Sequence, residues 1–293
     1  MTRPMVFLFP GQSSRDPEMF ARLGAIDETR AEAAVAELEA RLGDRFTGAF
    51  ASNLEVQLAV FLAIRAYLEL AREAGLEAAE SAGLSLGEYG HLVDIGAVDR
   101  DGVVDLVAAR GATYDNGPDG AMAALQPVSE EDLAPMLEQV RSELGGGDEL
   151  VAVSGVNSPG QTCVAGRSDA VHRLVEVVEE ALLGMGYVFE PRIPMHTPRF
   201  APVVSSFRPH LEEAPLRATD RTYWPNVTGE PVTVTSRQEI VDMLSRHVCE
   251  PVQWRRTIDG LVERHPDAVF VEVGPRNVLS GLFRRRWHRG VKC

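Results

Sequence analysis

A serine inside a short glycine-rich turn is the first feature of this sequence that could carry chemistry. The turn reads Gly83-Leu84-Ser85-Leu86-Gly87 and matches the pattern G-x-S-x-G. In that pattern the glycines allow a sharp turn from a strand into a helix, which holds the serine at the helix N-terminus. There the Leu86 backbone N–H and the helix dipole could stabilise an oxyanion after Ser85 attacks a carbonyl carbon. The same pattern also occurs in plain turns, so the motif alone leaves both interpretations open.

A serine hydroxyl is a weak nucleophile, so it needs a base, usually a histidine, close to it in space. The sequence has seven histidines, and His196 is distinguished by its surroundings. It lies in the segment Pro194-Met195-His196-Thr197-Pro198, at a predicted transition from strand to helix, where the prolines can restrict the backbone. His196 is therefore the favoured candidate for the general base. No aspartate occupies an obvious third position, and the residues alone do not complete a triad.

The composition is that of an acidic globular protein with a large core. Of 293 residues 45% are hydrophobic, and 43 Asp and Glu against 29 Lys and Arg give a net charge of −14. This charge argues against a general nucleic-acid binder, which needs a basic face. No apolar run approaches the roughly 18 residues of a membrane-spanning helix. Three scattered cysteines predict neither a disulfide framework nor a zinc site, so we expect a cytoplasmic protein without a metal.

Strands and helices alternate in the two outer parts of the chain. Residues 5–9 predict a buried first strand, and residues 53–74 predict a long helix. Ser52 and Glu55 form the pattern of a capping box at the start of that helix, and Gly75 follows its end. The other predictions are strands at 77–83, 224–227 and 268–273, and helices at 86–95, 100–114, 236–248 and 277–286. Strands separated by helices imply a parallel sheet covered on both faces.

The middle of the chain has a different pattern. It predicts a strand at 121–125, a helix capped by Ser129, strands at 150–155 and 161–165, a helix at 168–185 and a strand at 187–193. The order βαββαβ is that of a ferredoxin-like unit. We therefore predict a hydrolase-like α/β domain made of residues 1–120 and 194–293, with a ferredoxin-like α+β subdomain, residues 121–193, inserted into it.

Eight short segments, in this order along the whole chain, resemble those of the malonyl-CoA:acyl-carrier-protein transacylase family. They are Phe9-Pro10-Gly11-Gln12, Gly83-Leu84-Ser85-Leu86-Gly87-Glu88-Tyr89, Arg110-Gly111, Gly120-Ala121-Met122-Ala123-Ala124, Val156-Asn157-Ser158-Pro159-Gly160-Gln161, Met195-His196-Thr197-Pro198, Pro251-Val252-Gln253-Trp254 and Glu272-Val273-Gly274-Pro275. The resemblance implies the two-part fold described above, with the active site between the two parts.

The resemblance also implies roles for individual residues. Ser85 would be the nucleophile and His196 its base. A backbone carbonyl near His247 would orient the histidine in place of a carboxylate. The family usually has glutamine at that position, but because a main-chain oxygen does this work, the change of side chain need not matter. The backbone N–H groups of Gln12 and Leu86 would form the oxyanion hole.

Arg110 is the residue that separates substrate classes. The resemblance implies that it grips the free carboxylate of a malonyl group through two parallel N–H···O bonds. The alternative is a solvated helix charge paired with Asp105 or Asp115. Asn157 would face the cleft from the subdomain, and its alternative is a turn formed with Ser158 and Pro159.

Three departures from the family concern the acyl pocket. Leu84 replaces the usual histidine before the nucleophile, and Tyr114 replaces a usual methionine. Leu84 is similar to the residue found in free-standing acyltransferases that serve modular polyketide synthases lacking their own acyltransferase domains. We therefore favour a trans-acting biosynthetic enzyme over the housekeeping enzyme of fatty acid synthesis. Met195 matches neither the usual malonyl nor the usual methylmalonyl signature, so the α-substituent of the acyl group stays open.

The expected reaction is transfer of a malonyl-type acyl group from CoA to the phosphopantetheine thiol of an acyl carrier protein, through an acyl-serine. No metal or redox cofactor is expected, and a monomer is the default. The carrier protein would dock on arginines near the C-terminus, for which the candidates are Arg284, Arg285, Arg286 and Arg289. Three alternatives remain: a serine thioesterase or acyl hydrolase, an enzyme that moves an unusual starter or aminoacyl unit between carrier proteins, and a catalytically dead docking module.

Overall fold

The computed structural model of the chain describes residues 3–181 and 183–283. Its strands are β1 (Met5–Phe9), β2 (Glu80–Gly83), β3 (Ala121–Gln126), β4 (Val151–Ser158), β5 (Gln161–Gly166), β6 (Met185–Glu190), β7 (Thr222–Tyr223), β8 (Val232–Thr233) and β9 (Val269–Glu272). Its helices are α1 (Met19–Gly24), α2 (Glu28–Leu42), α3 (Asn53–Glu73), α4 (Gly87–Asp94), α5 (Arg100–Asp115), α6 (Glu130–Leu144), α7 (Ser168–Glu180), α8 (Pro202–Glu213), α9 (Arg237–His247), α10 (Trp254–Arg264) and α11 (Leu279–Phe283).

The predicted parallel sheet is present and has the order β2-β1-β9 among the described residues. The apolar first strand β1 lies in its centre, and helices cover it as expected for a buried parallel sheet. In the register of β1 and β2, Phe9 pairs with Gly83, so both strands end at the same level. The loop after β1 and the turn after β2 therefore lie side by side, which brings Gln12 next to Ser85.

Helix α3 runs where the sequence predicts it, with Ser52 accepting the Glu55 backbone N–H at 3.1 Å. The predicted capping box is wrong in its second half. The Glu55 carboxylate turns away from the helix start and accepts the backbone N–H groups of Thr47 and Gly48 at 3.1 and 2.7 Å. Glu55 therefore fixes the preceding loop, and Asp115, distant in sequence, helps to cap the helix by accepting the Asn53 and Leu54 backbone N–H groups.

The middle of the chain forms an antiparallel sheet of order β4-β5-β3-β6 with α6 and α7 packed against it. Strands β3 and β4 flank β5, which is the split arrangement of a ferredoxin-like unit. The predicted helix at 168–185 is wrong at its end, because α7 stops at Glu180 and Met185 already begins β6. Backbone bonds between Val252 and strand β4, 2.9 and 3.0 Å long, join this unit to the rest of the protein.

Two further differences concern the second half of the chain, and one prediction there stays untested. The predicted strand at 224–227 is absent, since β7 ends at Tyr223 and residues 226–228 form a turn. Helix α11 begins at Leu279, two residues later than predicted, and the arginines expected to dock a carrier protein lie outside the described residues. No helix in the described part of the chain combines the length and the apolar character needed to cross a membrane.

Candidate active site

The turn that carries Ser85 is sharply bent and tightly packed. Ser85 has a positive φ of 52°, a strained conformation for a non-glycine residue. A Cβ on Gly83 would lie 2.0 Å from the Gly87 carbonyl oxygen, and one on Gly87 would lie 2.0 Å from the Phe9 carbonyl oxygen. Both positions therefore require glycine, and the serine is presented at the start of α4 as the G-x-S-x-G pattern predicts.

Asn226, which is distant in sequence, fixes this turn by two hydrogen bonds. Its amide oxygen accepts the Ser85 backbone N–H at 2.8 Å, and its amide nitrogen donates to the Gly83 carbonyl at 2.7 Å. The side chain is 2% exposed, so these bonds form away from water. One amide group thus holds the backbone on both sides of Leu84. Sequence reasoning missed Asn226, because the only signal is its place in a turn 141 residues after the serine.

The structure brings Ser85 and His196 together. The Ser85 Oγ lies 2.9 Å from His196 Nε2, and His196 Nδ1 lies 2.6 Å from the carbonyl oxygen of His247. Because a carbonyl can only accept, Nδ1 carries the proton and Nε2 is free to accept the serine proton. Burial, followed by the charges of His247 and Arg110, holds the pKa of His196 well below its usual value, so the base stays unprotonated at neutral pH.

Gln12 and Leu86 lie on the two sides of the serine. Gln12 follows β1 and lines the same cleft as Ser85, while buried Leu86 immediately precedes α4. The Gln12 side-chain oxygen accepts a hydrogen bond of 3.1 Å from Gln57 on α3. Both residues that the sequence predicts for the oxyanion hole are therefore buried, and Gln12 shares the cleft with Ser85.

Arg110, on α5, is buried with 1% of its surface exposed, and its charge lies close enough to His196 to lower the pKa of that histidine. Its Nη1 donates to Gln57 Oε1 at 2.7 Å, and its guanidinium lies over the Tyr114 ring, 4.3 Å from the centroid. Its Nη2 has no partner among the described residues. The alternative ion pairs are wrong, because Asp105 bonds Arg41 and Asp115 caps α3. An arginine in this setting can receive an anionic group.

The cleft in front of Ser85 lies between the two sheets. Its walls come from both parts of the protein and include the predicted residues Leu84, Met195 and Asn157. The full lining is Gly11, Gln12, Ser13, Leu84, Ser85, Met122, Ser154, Gly155, Asn157, Cys163, Phe189, Met195, His196 and Val252. Asn157 belongs to β4 and donates to Gln161 and Cys163 at 3.1 and 3.2 Å, while the turn is formed by residues 159–160. The sequence-based alternative of a turn at Asn157 is therefore wrong.

The cleft carries no cluster that resembles a metal site. In residues 3–181 and 183–283, no three His, Cys, Asp or Glu side chains lie close enough to bind a metal ion together. Cys163 faces the cleft as a neutral thiol, because burial raises its pKa to about 12. The groups that the structure brings together are Ser85 and His196, with the charge of Arg110 acting on the histidine. This arrangement suits attack of a serine on a carbonyl group and transfer of the resulting acyl group.

Comparison with known proteins gives relatives over the whole chain. The malonyl CoA-acyl carrier protein transacylase of Bacillus subtilis is 28% identical over 292 residues, covering 96% of this chain and 90% of that protein. The structure of the corresponding Coxiella burnetii protein superposes with a TM-score of 0.86 at 27% identity, covering 100% and 93% of the two chains. A malonyl-transacylase solved in complex with a type II polyketide synthase acyl carrier protein superposes with a TM-score of 0.84 at 25% identity. The superposition covers 96% of this chain and 92% of that one.

The likeness is also found at the level of the family. The model of the acyl transferase domain family matches residues 6–291, which include most of both segments of the predicted hydrolase-like domain and the whole ferredoxin-like unit between them. The G-x-S-x-G turn, His196 and Arg110 all fall within that match. On these grounds, the chain belongs to the acyl transferase domain family and is an acyltransferase.

Proposed function

We propose that this acyltransferase moves a malonyl-type acyl group from CoA to the phosphopantetheine thiol of an acyl carrier protein, through an acyl-serine. The observation that carries the proposal is a buried arginine near the serine–histidine pair, Arg110, whose Nη2 has no hydrogen-bond partner within residues 3–181 and 183–283. A buried guanidinium without an anion is costly, whereas an acyl group that brings its own carboxylate would supply one. The names of the relatives, malonyl CoA-acyl carrier protein transacylase, point to the same substrates.

In the first half of the reaction the enzyme becomes acylated. His196 Nε2 takes the Ser85 proton while Ser85 Oγ attacks the thioester carbonyl carbon. The Gln12 and Leu86 backbone N–H groups hold the oxyanion. When the C–S bond breaks, His196 returns the proton to the CoA sulfur, which leaves as a thiol.

In the second half the carrier protein takes the acyl group by the same route in reverse. The phosphopantetheine thiol gives its proton to His196 and attacks the acyl-serine, and Ser85 recovers the proton as its C–O bond breaks. Only protons and an acyl group move, so we propose that no metal or redox cofactor takes part. Arg110 fixes the carboxylate away from the attacked carbonyl, which favours the bound thiol over water.

Intact-protein mass spectrometry tests the substrate class. We expect brief incubation with malonyl-CoA to give one adduct that Ser85→Ala abolishes. In Arg110→Ala the malonyl adduct should form at least about tenfold more slowly while the acetyl adduct from acetyl-CoA gains, since a charge-assisted bidentate contact exceeds about 1.4 kcal/mol. Arg100→Ala is the matched control, because Arg100 is an exposed arginine on the same helix. Equal acetyl and malonyl labelling of the wild-type protein would contradict the proposal.

The same samples separate the alternatives. A hydrolase would release free acid from neutral acyl thioesters without needing Arg110, and a carrier-to-carrier enzyme would be labelled by a loaded carrier protein but not by malonyl-CoA. A docking module would give no adduct at all. We also propose a trans-acting role in polyketide biosynthesis, which is supported by Leu84 in the cleft. We propose that the enzyme acts as a monomer in the cytoplasm, where the free thiols of Cys163 and Cys249 would persist.

A further inference from the structure

A buried hydroxyl without a partner lies in the wall of the cleft that the ferredoxin-like unit supplies. Ser154, on β4, is 2% exposed and lines the cleft together with Ser85. Among the residues that the structure describes, none makes a hydrogen bond with its Oγ. A buried polar group left unpaired costs free energy, and such groups are therefore rare in folded proteins. A hydroxyl kept in the cleft at this cost is a candidate to bond a ligand there.

A β-bulge turns this hydroxyl toward the cleft. Where β4 pairs with β5, Val153 lies opposite Val164 and Gly155 lies opposite Cys163, so Ser154 is one extra residue on β4. In a regular strand successive side chains point to opposite faces, and Ser154 would then face away from the side of Gly155. Both residues nevertheless line the cleft. Bulges beside active sites commonly redirect a side chain in this way.

Asn157 gives the same wall a hydrogen-bond acceptor. Its Nδ2 donates to Gln161 Oε1 and Cys163 Sγ, which leaves Oδ1 as the atom of this amide that can meet a ligand. A Cβ on Gly155 would lie 3.7 Å from Asn157 Oδ1 and 3.5 Å from Val252, which are ordinary van der Waals distances. The fold could therefore accommodate a side chain at this glycine. Without one, the wall beside the serine hydroxyl and the asparagine oxygen stays open to a ligand.

The wall thus offers a ligand one donor and one acceptor. A carboxylate or a phosphate diester only accepts hydrogen bonds, so the Asn157 oxygen disfavours both. A secondary amide has a carbonyl oxygen on one edge and an N–H on the other, which suits the Ser154 hydroxyl and the Asn157 oxygen. The phosphopantetheine arm of CoA and of an acyl carrier protein has such an amide two carbon atoms from its sulfur. This amide is the polar group of the arm that lies nearest to a thioester attacked by Ser85.

We propose that Ser154 is a specificity-determining residue whose hydroxyl donates to the carbonyl oxygen of this amide, while Asn157 Oδ1 accepts the amide N–H. The proposal rests on the acyl-transfer function argued above, and it adds a residue that no sequence pattern indicated. Because CoA and the carrier protein have the same arm, one contact serves both halves of the reaction. The hydroxyl that is unpaired in the free enzyme gains its partner when the arm binds.

Thioesters with and without the amide test the contact. The malonyl thioester of N-acetylcysteamine has the amide, whereas that of pentanethiol has two methylene groups in its place. We expect Ser154→Ala to slow Ser85 acylation by the first about three- to tenfold, the usual effect of one neutral hydrogen bond, and to leave the rate with the second unchanged. Ser158→Ala is the matched control, because Ser158 is a buried serine of the same strand that does not line the cleft. Equal slowing with both thioesters, or with neither, would overturn the inference.

Unfolding separates recognition of the arm from a role in the fold. Ser154→Ala removes a buried hydroxyl that has no partner, so its urea midpoint should equal or exceed that of the wild-type protein. A lower midpoint would mean that the hydroxyl serves the fold, and would count against the inference.

A binding measurement needs no acylation. In an NMR titration with pantetheine, Ser154→Ala should raise the Kd about three- to tenfold, and equal Kd values would overturn the inference. Failure of malonyl thioesters to label the wild-type protein would instead reject the proposed function. The pantetheine titration would still decide whether Ser154 binds the arm.

Discussion

At the scale of single residues, the site depends on backbone conformations that are unfavourable by themselves. Ser85 and His196 both have positive φ angles, 52° and 62°. Neither residue is glycine, so each conformation costs free energy that surrounding bonds must offset. Asn226 does this for Ser85, and for His196 its backbone N–H donates to the Val248 carbonyl at 3.1 Å. The reactive geometry is therefore imposed by residues that do not line the cleft.

Asn226→Ala tests this support. Loss of both hydrogen bonds of the Asn226 side-chain amide should lower the free energy of unfolding by about 1–3 kcal/mol. It should also slow Ser85 acylation, because the turn is released on both sides of Leu84. Urea denaturation and the acylation rate give the two readouts. Thr228→Ala, in the same loop, removes two long contacts, 3.5 Å to the Pro225 carbonyl and 3.3 Å from the Glu230 backbone N–H, and should change neither readout by much. Equal effects of the two substitutions would mean that Asn226 does not brace the turn.

The sequence predicts the reacting residues of the site better than the residues that support them. Ser85 and His196 belong to short local patterns, and the structure places Ser85 Oγ 2.9 Å from His196 Nε2. Asn226 and Gln57 carry no such pattern, since an asparagine in a turn and a glutamine on a helix are ordinary. Their partners lie 141 and 53 residues away, so only the folded chain reveals what they bond.

At the scale of elements, helices α3 and α5 fix the distance between the arginine and the cleft. A Cβ on Gly111 would lie 2.5 Å from the Leu54 Cα, so the two backbones touch one residue after Arg110. At the same contact Asp115, in the last turn of α5, accepts the backbone N–H groups of Asn53 and Leu54 at 2.6 and 3.1 Å. The start of one helix is thus capped by the end of the other.

Asp115→Ala should therefore destabilise the protein by about 1–2 kcal/mol, the usual range for loss of a helix cap. The matched control is Asp105→Ala on the same helix, which removes an exposed ion pair with Arg41 and should cost less than about 1 kcal/mol. Thermal and urea unfolding of both variants measure the difference. If Asp105→Ala cost as much as Asp115→Ala, the cap would not be the stabilising contact.

The positions of α3 to α7, α9 and α11 were predicted from sequence, but several of their ends were not, and α1, α2, α8 and α10 were not predicted. The apolar face of α3 and the glycine after it follow from local pattern, whereas its start is shared between Ser52 and the distant Asp115. The predicted helix at 168–185 runs too far, because residues 183–185 lie in an apolar stretch that fits a helix or a strand equally well. Pairing of β6 with β3, a tertiary contact, decides in favour of the strand.

At the scale of the whole molecule, the larger core surrounds a buried histidine outside the active site. His91 Nε2 accepts the Trp224 backbone N–H at 3.0 Å, so Nδ1 carries its proton and lies 2.8 Å from Ser81 Oγ. Burial, helped by the charge of Arg221, lowers the pKa of His91 to about 3. The fold therefore keeps this side chain neutral over a range in which an exposed histidine takes up a proton.

Stability should accordingly fall as the pH is lowered. Between pH 6.5 and about 3 the unfolded chain binds a proton at His91 that the folded protein excludes, which costs up to about 1.4 kcal/mol per pH unit. The lowered pKa of His196 adds to this dependence of the unfolding free energy on pH, in the same direction. We expect His91→Gln to be less stable at pH 7 but to lose stability less steeply, as measured by urea unfolding from pH 7 to 5. An unchanged slope would contradict this, and His210→Gln, an exposed site, is the control.

The place where the chain enters and leaves the ferredoxin-like unit has a consequence for how such enzymes diversify. The Gly120 backbone N–H donates to the Arg192 carbonyl at 3.0 Å, so the segment that enters the unit lies beside the segment that leaves it. A segment whose ends meet can be exchanged for a homologous one without stretching the rest of the chain. The unit supplies six of the 14 lining residues, among them Met122 and Asn157, while the nucleophile and base come from the other part. Recombination at this junction could therefore change that part of the pocket wall in one genetic event and leave the reacting pair intact.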